Sequence, residues 1–421
     1  MKLLILLAVI GCVAAASDVY QLPLIRVESR KTKMIKAGTW DAYFKDKQLL
    51  SQSLNESMAD FDEVEYIGMA YIGTPAQAFK FHYDLTDYHF WVTDKKCGPR
   101  NAMTEPPHCP SFCSMPGGSS FCKESCKNQG NASDDDDDNV EQICNQKSKY
   151  GLTESSTAYL PQNYANGYLD YEFGYIYLTS GLTDKIRLGA FNSKNNTLNQ
   201  PSAYFSQTKE MSPVFRDTPF DGIFGLNYMS LFVLQVVALM DKPMFTVYLQ
   251  DTKKKYNVPG GYITFGGLDE EHCSPTIDSP NITPSHTFMI NNVSFNTIEP
   301  PTIPLPNYWY VKLDTARTSI MGPPEIIKNL KKAAGANDDG IIDCDAEFGD
   351  LNIQSNSKFY TIPAKHLIIH NPDGSCSIAL DSMPPNISQY WIFGVPWFKS
   401  YCTVYTAENY KIDVGFAKVV A

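Results

Sequence analysis

Apolar and aromatic positions recur along this chain in short runs bounded by polar turns, not in long helical stripes. The run from Phe79 to Val92 reads FKFHYDLTDYHFWV. Apolar and aromatic residues lead up to Asp84, and Tyr88, Phe90, Trp91 and Val92 follow it. The run from Tyr308 to Pro323, YWYVKLDTARTSIMGP, sets Asp314 in a similar frame. In each, a short carboxylate sits in a loop between strand-like runs. A lone acid so framed reads as a turn residue. Two of them in matching halves of one chain read as a paired acid/base device.

The remaining runs extend this pattern. Glu65 to Val92 predicts successive strands with a turn at Gly73-Thr74-Pro75, and Tyr168 to Leu188 predicts one or two hairpins. Phe220 to Tyr228, FDGIFGLNY, is an apolar strand closing at Gly225, followed by a predicted helix from Tyr228 to Met240. Phe245–Leu249 and Tyr262–Phe265 predict strands on either side of a lysine turn. Pro324 to Ala334 predicts a helix, with proline at its start and Gly335 at its end. Short strands, including Tyr390 to Val395, run on to Lys418. Many short strands with few helices place the chain in the all-β class.

Composition then narrows the setting. Residues 1–16 carry Lys2, the apolar run LLILLAVIGCV and a small-residue site at Ala14-Ala15-Ala16, the pattern of a secretory signal peptide. No later apolar run reaches membrane-spanning length. The expected location is therefore secreted, or the lumen of an acidic, lysosome-like compartment. Of 11 cysteines, Cys12 leaves with the signal. Cys97, Cys109, Cys113, Cys122, Cys126 and Cys144 crowd one loop, and Cys273, Cys344, Cys376 and Cys402 follow. In an oxidising compartment these read as disulfides more readily than as a zinc site. Sequons at Asn55, Asn131, Asn195, Asn281, Asn292 and Asn386 mark candidate glycosylation sites. The net charge of −11 argues against nucleic acid or anionic membrane as a partner. The acidic run Asp134 to Asp138 lacks the spacing of a calcium loop and reads as a solvated segment. Against this acidic background, Val19 to Lys47 carries Arg26, Arg30, Lys31, Lys33, Lys36, Lys45 and Lys47. The arm reads either as a solvated surface or as a pro-segment held on an acidic body by charge.

The segments YQLPLIR, YIGTPAQ, FDGIFGL, PMFTVYL, YITFGGLD and YWIFGVPWF occur in this order over about residues 20–420. In them the chain resembles the pepsin family of aspartic peptidases. That resemblance implies a bilobal fold with a central cleft, each lobe giving one Asp-Thr-Gly loop. It further implies catalytic acids at Asp84 and Asp314, a shared proton, an attacking water, and no metal or cofactor. It divides the chain into a signal (1–16), a pro-segment and linker (17–62), an N-terminal β-lobe (63–240) with a disulfide-rich insertion (97–144), and a C-terminal β-lobe (241–421). The expected partners are a peptide or protein in the cleft and the chain's own pro-segment, in a monomer. The resemblance also implies the bridges Cys344–Cys376 and Cys273–Cys402. The sequence contains no H-E-x-x-H and no G-x-S-x-G.

Both loops depart from the family pattern. The first reads Asp84-Leu85-Thr86-Asp87 and the second Asp314-Thr315-Ala316-Arg317. Leu85 removes one side of the threonine brace beneath the acids. Ala316 adds one methyl where the family has glycine, and β-branched Thr86 is expected to fit poorly. Asp87 replaces a hydroxyl donor with an acceptor, and the two-fold relation suggests that it pairs with Arg317. If Arg317 bonds Asp84 or Asp314 instead, the shared proton is disfavoured. The hairpin tip aligns at Phe173-Gly174, which lacks the family's phenol hydroxyl. Three readings follow: an aspartic endopeptidase with weakened or lost activity, a pseudo-protease that binds in the cleft, and a structural glycoprotein.

Overall fold

The computed structural model describes residues 19–43, 62–98, 143–161, 166–171, 174–189, 197–252, 255–280, 287–295, 308–383, 389–408 and 411–420. The first half holds β1 (Tyr20–Arg26), α1 (Arg30–Ala37), β2 (Tyr66–Ile72), β3 (Gln77–Asp84), β4 (Phe90–Thr93), β5 (Gly167–Tyr171), β6 (Gly174–Leu188), β7 (Leu198–Met211), β8 (Gly222–Gly225) and α2 (Leu231–Gln235). Then come β9 (Met244–Leu249), β10 (Val258–Phe265), β11 (Phe288–Ile290), β12 (Asn292–Phe295), β13 (Trp309–Leu313), β14 (Ile320–Gly322) and α3 (Pro324–Ala333). The chain closes with β15 (Ile341–Ile342), β16 (Leu351–Ser355), β17 (Lys358–Ile362), β18 (Ile368–His370), β19 (Cys376–Ile378), β20 (Leu380–Ser382), β21 (Tyr390–Phe393), α4 (Val395–Phe398), β22 (Tyr401–Glu408) and β23 (Lys411–Lys418). The all-β expectation holds. The helix expected over 228–240 is reduced to the short α2 and a 3-10 turn at Val237–Leu239. Phe232, Val233, Val236 and Val237 are buried in the main core, and β-branched and aromatic residues are weak helix formers. The helix after Pro324 forms with proline in its first turn, as read, and buries Ile326, Ile327 and Leu330 on its inner face.

Strand order exposes an internal repeat. In one half the neighbours run β2-β3-β8-β4-β7, and in the other β11-β13-β21-β14-β20. Both series pair antiparallel, parallel, antiparallel, parallel. Asp84 ends β3, and Asp314 follows directly on β13, its equivalent. Glycine at the end of each supporting strand permits this packing. A Cβ on Gly225 would stand 2.6 Å from the Asp87 carbonyl oxygen, and one on Gly394 2.3 Å from that of Arg317. The two apolar-apolar-Gly segments therefore press on the fourth residue of each loop.

The N-terminal arm is woven into this body. β1 lies between β10 and β2, pairing antiparallel with both. Its Leu22 and Leu24 are buried in the main core. Arg26 meets Glu65 at 2.7 Å, Arg30 meets Asp62 at 2.5 Å, and Lys31 meets Glu63 at 2.5 Å. The arm's cations thus pair with Asp62, the last residue of the 17–62 segment, and with Glu63 and Glu65 at the start of the body. Bridges join Cys97–Cys144, Cys273–Cys402 and Cys344–Cys376, and the last two are the pairs the resemblance implied. Cys109, Cys113, Cys122 and Cys126 lie outside the described residues, as do the sequons at Asn55, Asn131, Asn195, Asn281 and Asn386. Asn292 stands half-buried in β12, opposite Gln354. Among the described residues no helix is long and apolar enough to cross a membrane.

Candidate active site

The two loops meet under the acids. Thr315 donates its hydroxyl to the carbonyl oxygen of Tyr83 at 3.0 Å, linking the residue before Asp84 to the residue after Asp314. Leu85 makes no matching polar contact. It is 8% exposed and lines an apolar pocket with Leu24, Tyr83, Val247, Ile263 and Thr315. One side of the brace is polar, and the other is a hydrophobic anchor that also touches β1.

Asp84 is fully buried, and its Oδ1 accepts from Thr86 N at 2.7 Å, Thr86 Oγ1 at 2.7 Å and Asp87 N at 3.1 Å. The expectation that Thr86 fits poorly is corrected. Thr86 is exposed, and its hydroxyl donates to Asp84 Oδ1 at 2.7 Å. Asp314 is 5% exposed, and its Oδ1 accepts from Ala316 N at 2.7 Å. Ala316 is accommodated inside an apolar cluster with Trp91, Phe215 and Phe220.

The fourth residues do not pair across the two-fold. Asp87 Oδ1 takes the backbone N–H of His89 at 2.9 Å and its ring Nδ1 at 2.7 Å, and Oδ2 accepts from the Tyr171 hydroxyl at 3.1 Å. Nδ1 therefore carries the proton that faces the carboxylate. Arg317, 6% exposed, turns to its own loop and places Nε 3.6 Å from Asp314 Oδ2. A contact three residues away along the loop is cheaper to order than one across the two lobes.

Three groups around the acids were not singled out in the sequence. His82 is fully buried, with Nε2 3.8 Å from Asp84 Oδ2. Burial pushes its imidazole down, against the opposing pull of Asp84. His82 and Asp84 are two apart on one strand and share a face, a signal that alternation alone carries. His89 follows Asp87 by the same interval. The third is Tyr171, which ends β5 beside the predicted hairpin tip. Its hydroxyl accepts from Trp91 Nε1 at 2.9 Å while donating to Asp87. Burial first, then the Asp87 charge, hold this phenol well above its ordinary value, so it stays a donor. Phe173 lies outside the described residues, and Gly174 opens β6. A phenol therefore does stand by the first loop, supplied by Tyr171.

The chain's similarity to known proteins agrees with this geometry. The family model described as eukaryotic aspartyl protease matches residues 65–419. "Aspartic protease 2" of Necator americanus is 28% identical over 99% of each chain, and "Aspartic protease 6" of Caenorhabditis elegans is likewise 28% identical over 99% of each. "Pepsin II-2/3" of Oryctolagus cuniculus is 24% identical over 99% of this chain and 98% of its own.

Proposed function

Because the chain belongs to the eukaryotic aspartyl protease family, we propose that it is a secreted homologue that binds peptide in the cleft while its hydrolytic step is suppressed. Asp84 and Asp314 are the two acids in this reading. Hydrolysis needs them to share one proton, so that one activates water and the other protonates the carbonyl oxygen. The observation that carries the proposal is the Arg317 guanidinium beside Asp314. A cation at that distance favours the charged carboxylate of Asp314. It thereby opposes the shared proton that the dyad needs. In the same reading residues 17–62 form a pro-segment, held by β1 and by the arm's ion pairs.

A second reading, an ordinary active endopeptidase, is favoured by Thr86 and Thr315. The first supplies a hydroxyl to Asp84, and the second keeps half of the brace. Cleavage of a denatured protein from about pH 2 to about pH 6 separates the two. Asp84→Asn and a pepstatin-type inhibitor serve as controls. Binding of the inhibitor with little Asp84-dependent cleavage supports suppression. Rapid cleavage abolished by both controls supports the second reading.

A further inference from the structure

The C-terminal bridge Cys344–Cys376 has a neighbour that the other described bridges lack. His370 and Cys376 are directly opposed on the β18–β19 hairpin, and His370 Nδ1 lies 2.8 Å from Cys376 Sγ. Ligand atoms of Cys344, His370 and Cys376 all fall within 4.8 Å of one another. Cys376 is 1% exposed, whereas Cys344 and His370 are partly exposed. Cys273 and Cys402, by contrast, are 2% and 0% exposed.

We propose that Cys344, Cys376 and His370 form a redox-gated metal site, a disulfide when oxidised and a zinc site when opened by a dithiol. The exposed sulfur is the one a reductant reaches. A dithiol's thiolate attacks Cys344 Sγ, and the S–S electron pair departs on Cys376 Sγ, which lies 2.8 Å from His370 Nδ1. The dithiol's second sulfur attacks the mixed disulfide and frees Cys344. The dithiol is oxidised to a cyclic disulfide by two electrons, and the cystine is reduced to two thiolates. Two thiolates and one imidazole suit zinc and leave its fourth position open to water.

The test uses the full secreted chain. Dithiothreitol is titrated, free thiols are alkylated, and each cysteine is read by mass spectrometry. Cys344 and Cys376 are expected to open at a concentration at least about tenfold below that for Cys273 and Cys402, and His370→Ala and His370→Gln to narrow the gap. The reduced protein is then desalted without oxygen and given Zn²⁺ alone. About one ion per chain should bind, and it should protect Cys344 and Cys376 from alkylation. Opening of Cys273–Cys402 first or together, or zinc that leaves the alkylation of Cys344 and Cys376 unchanged, overturns the proposal. Both readings are made on the unmutated chain, so a misfolded variant does not affect them.

Discussion

Arg317 places its guanidinium Nε 3.6 Å from Asp314 Oδ2, within the loop that carries the second acid. Both side chains are nearly excluded from solvent. Water screens such a pair little, so the charge beside Asp314 is a larger effect than a surface ion pair would be. The equivalent residue of the first loop, Asp87, is occupied by His89 and Tyr171. The two-fold repeat in the backbone thus carries two chemically opposite loops.

Tyr171 ties the hairpin to the first loop. Tyr171→Phe removes the acceptor of the buried Trp91 indole N–H and a donor to Asp87. Leaving that indole unpaired costs about 1–3 kcal/mol. Urea unfolding followed by tryptophan fluorescence should show the loss. A variant as stable as the parent would contradict the role given to this hydroxyl.

Glu63 is shared between the arm and the second loop. One oxygen takes Lys31, and the other takes Thr318 N at 2.9 Å and Thr318 Oγ1 at 2.8 Å. Glu63→Gln keeps an oxygen for Thr318 and removes the charge facing Lys31. Amide exchange in α1 should speed up by about threefold to tenfold while the Thr318 amide stays protected. Equal exchange in both proteins would rule out the charge as a fastening.

The fold, the matching loop positions of Asp84 and Asp314, and the two C-terminal bridges were legible because each rests on short-range pattern or on many ordered family matches. Apolar runs of strand length, Pro324 at a helix start and glycine after two buried strands are all local signals. The contacts of Tyr171 were not legible, because Trp91 is 80 positions away and only strand register brings them together. Thr86 was misjudged because sequence does not show which side of a loop faces solvent. The Asp87–Arg317 pairing failed because a partner two residues away outcompeted symmetry.

His366 provides a pH test independent of the acids. Burial, then the charges of Lys399 and Lys365, push its imidazole down from 6.5 to about 4. Between those values the unfolded chain binds the proton and the folded chain does not. Stability contributed by neutral His366 is therefore lost as pH falls through that window, and the loss is complete below about 4. His366→Asn retains a donor for Ser400 Oγ, which lies 2.9 Å from Nδ1. The drop in urea midpoint between about pH 7 and about pH 4 should be smaller in the variant. An unchanged drop would mean that the ring does not titrate on unfolding.

Suppression of hydrolysis rests on Arg317, and the decisive measurement compares peptide cleavage by the parent and by Arg317→Thr after removal of the arm. Removing the guanidinium frees Asp314 to share a proton with Asp84. The variant should gain at least about tenfold in kcat/KM, with activity extending to higher pH, and lose it again when Asp84→Asn is added. A folded Arg317→Thr protein no more active than the parent, or a parent already fully active, would contradict suppression by Arg317.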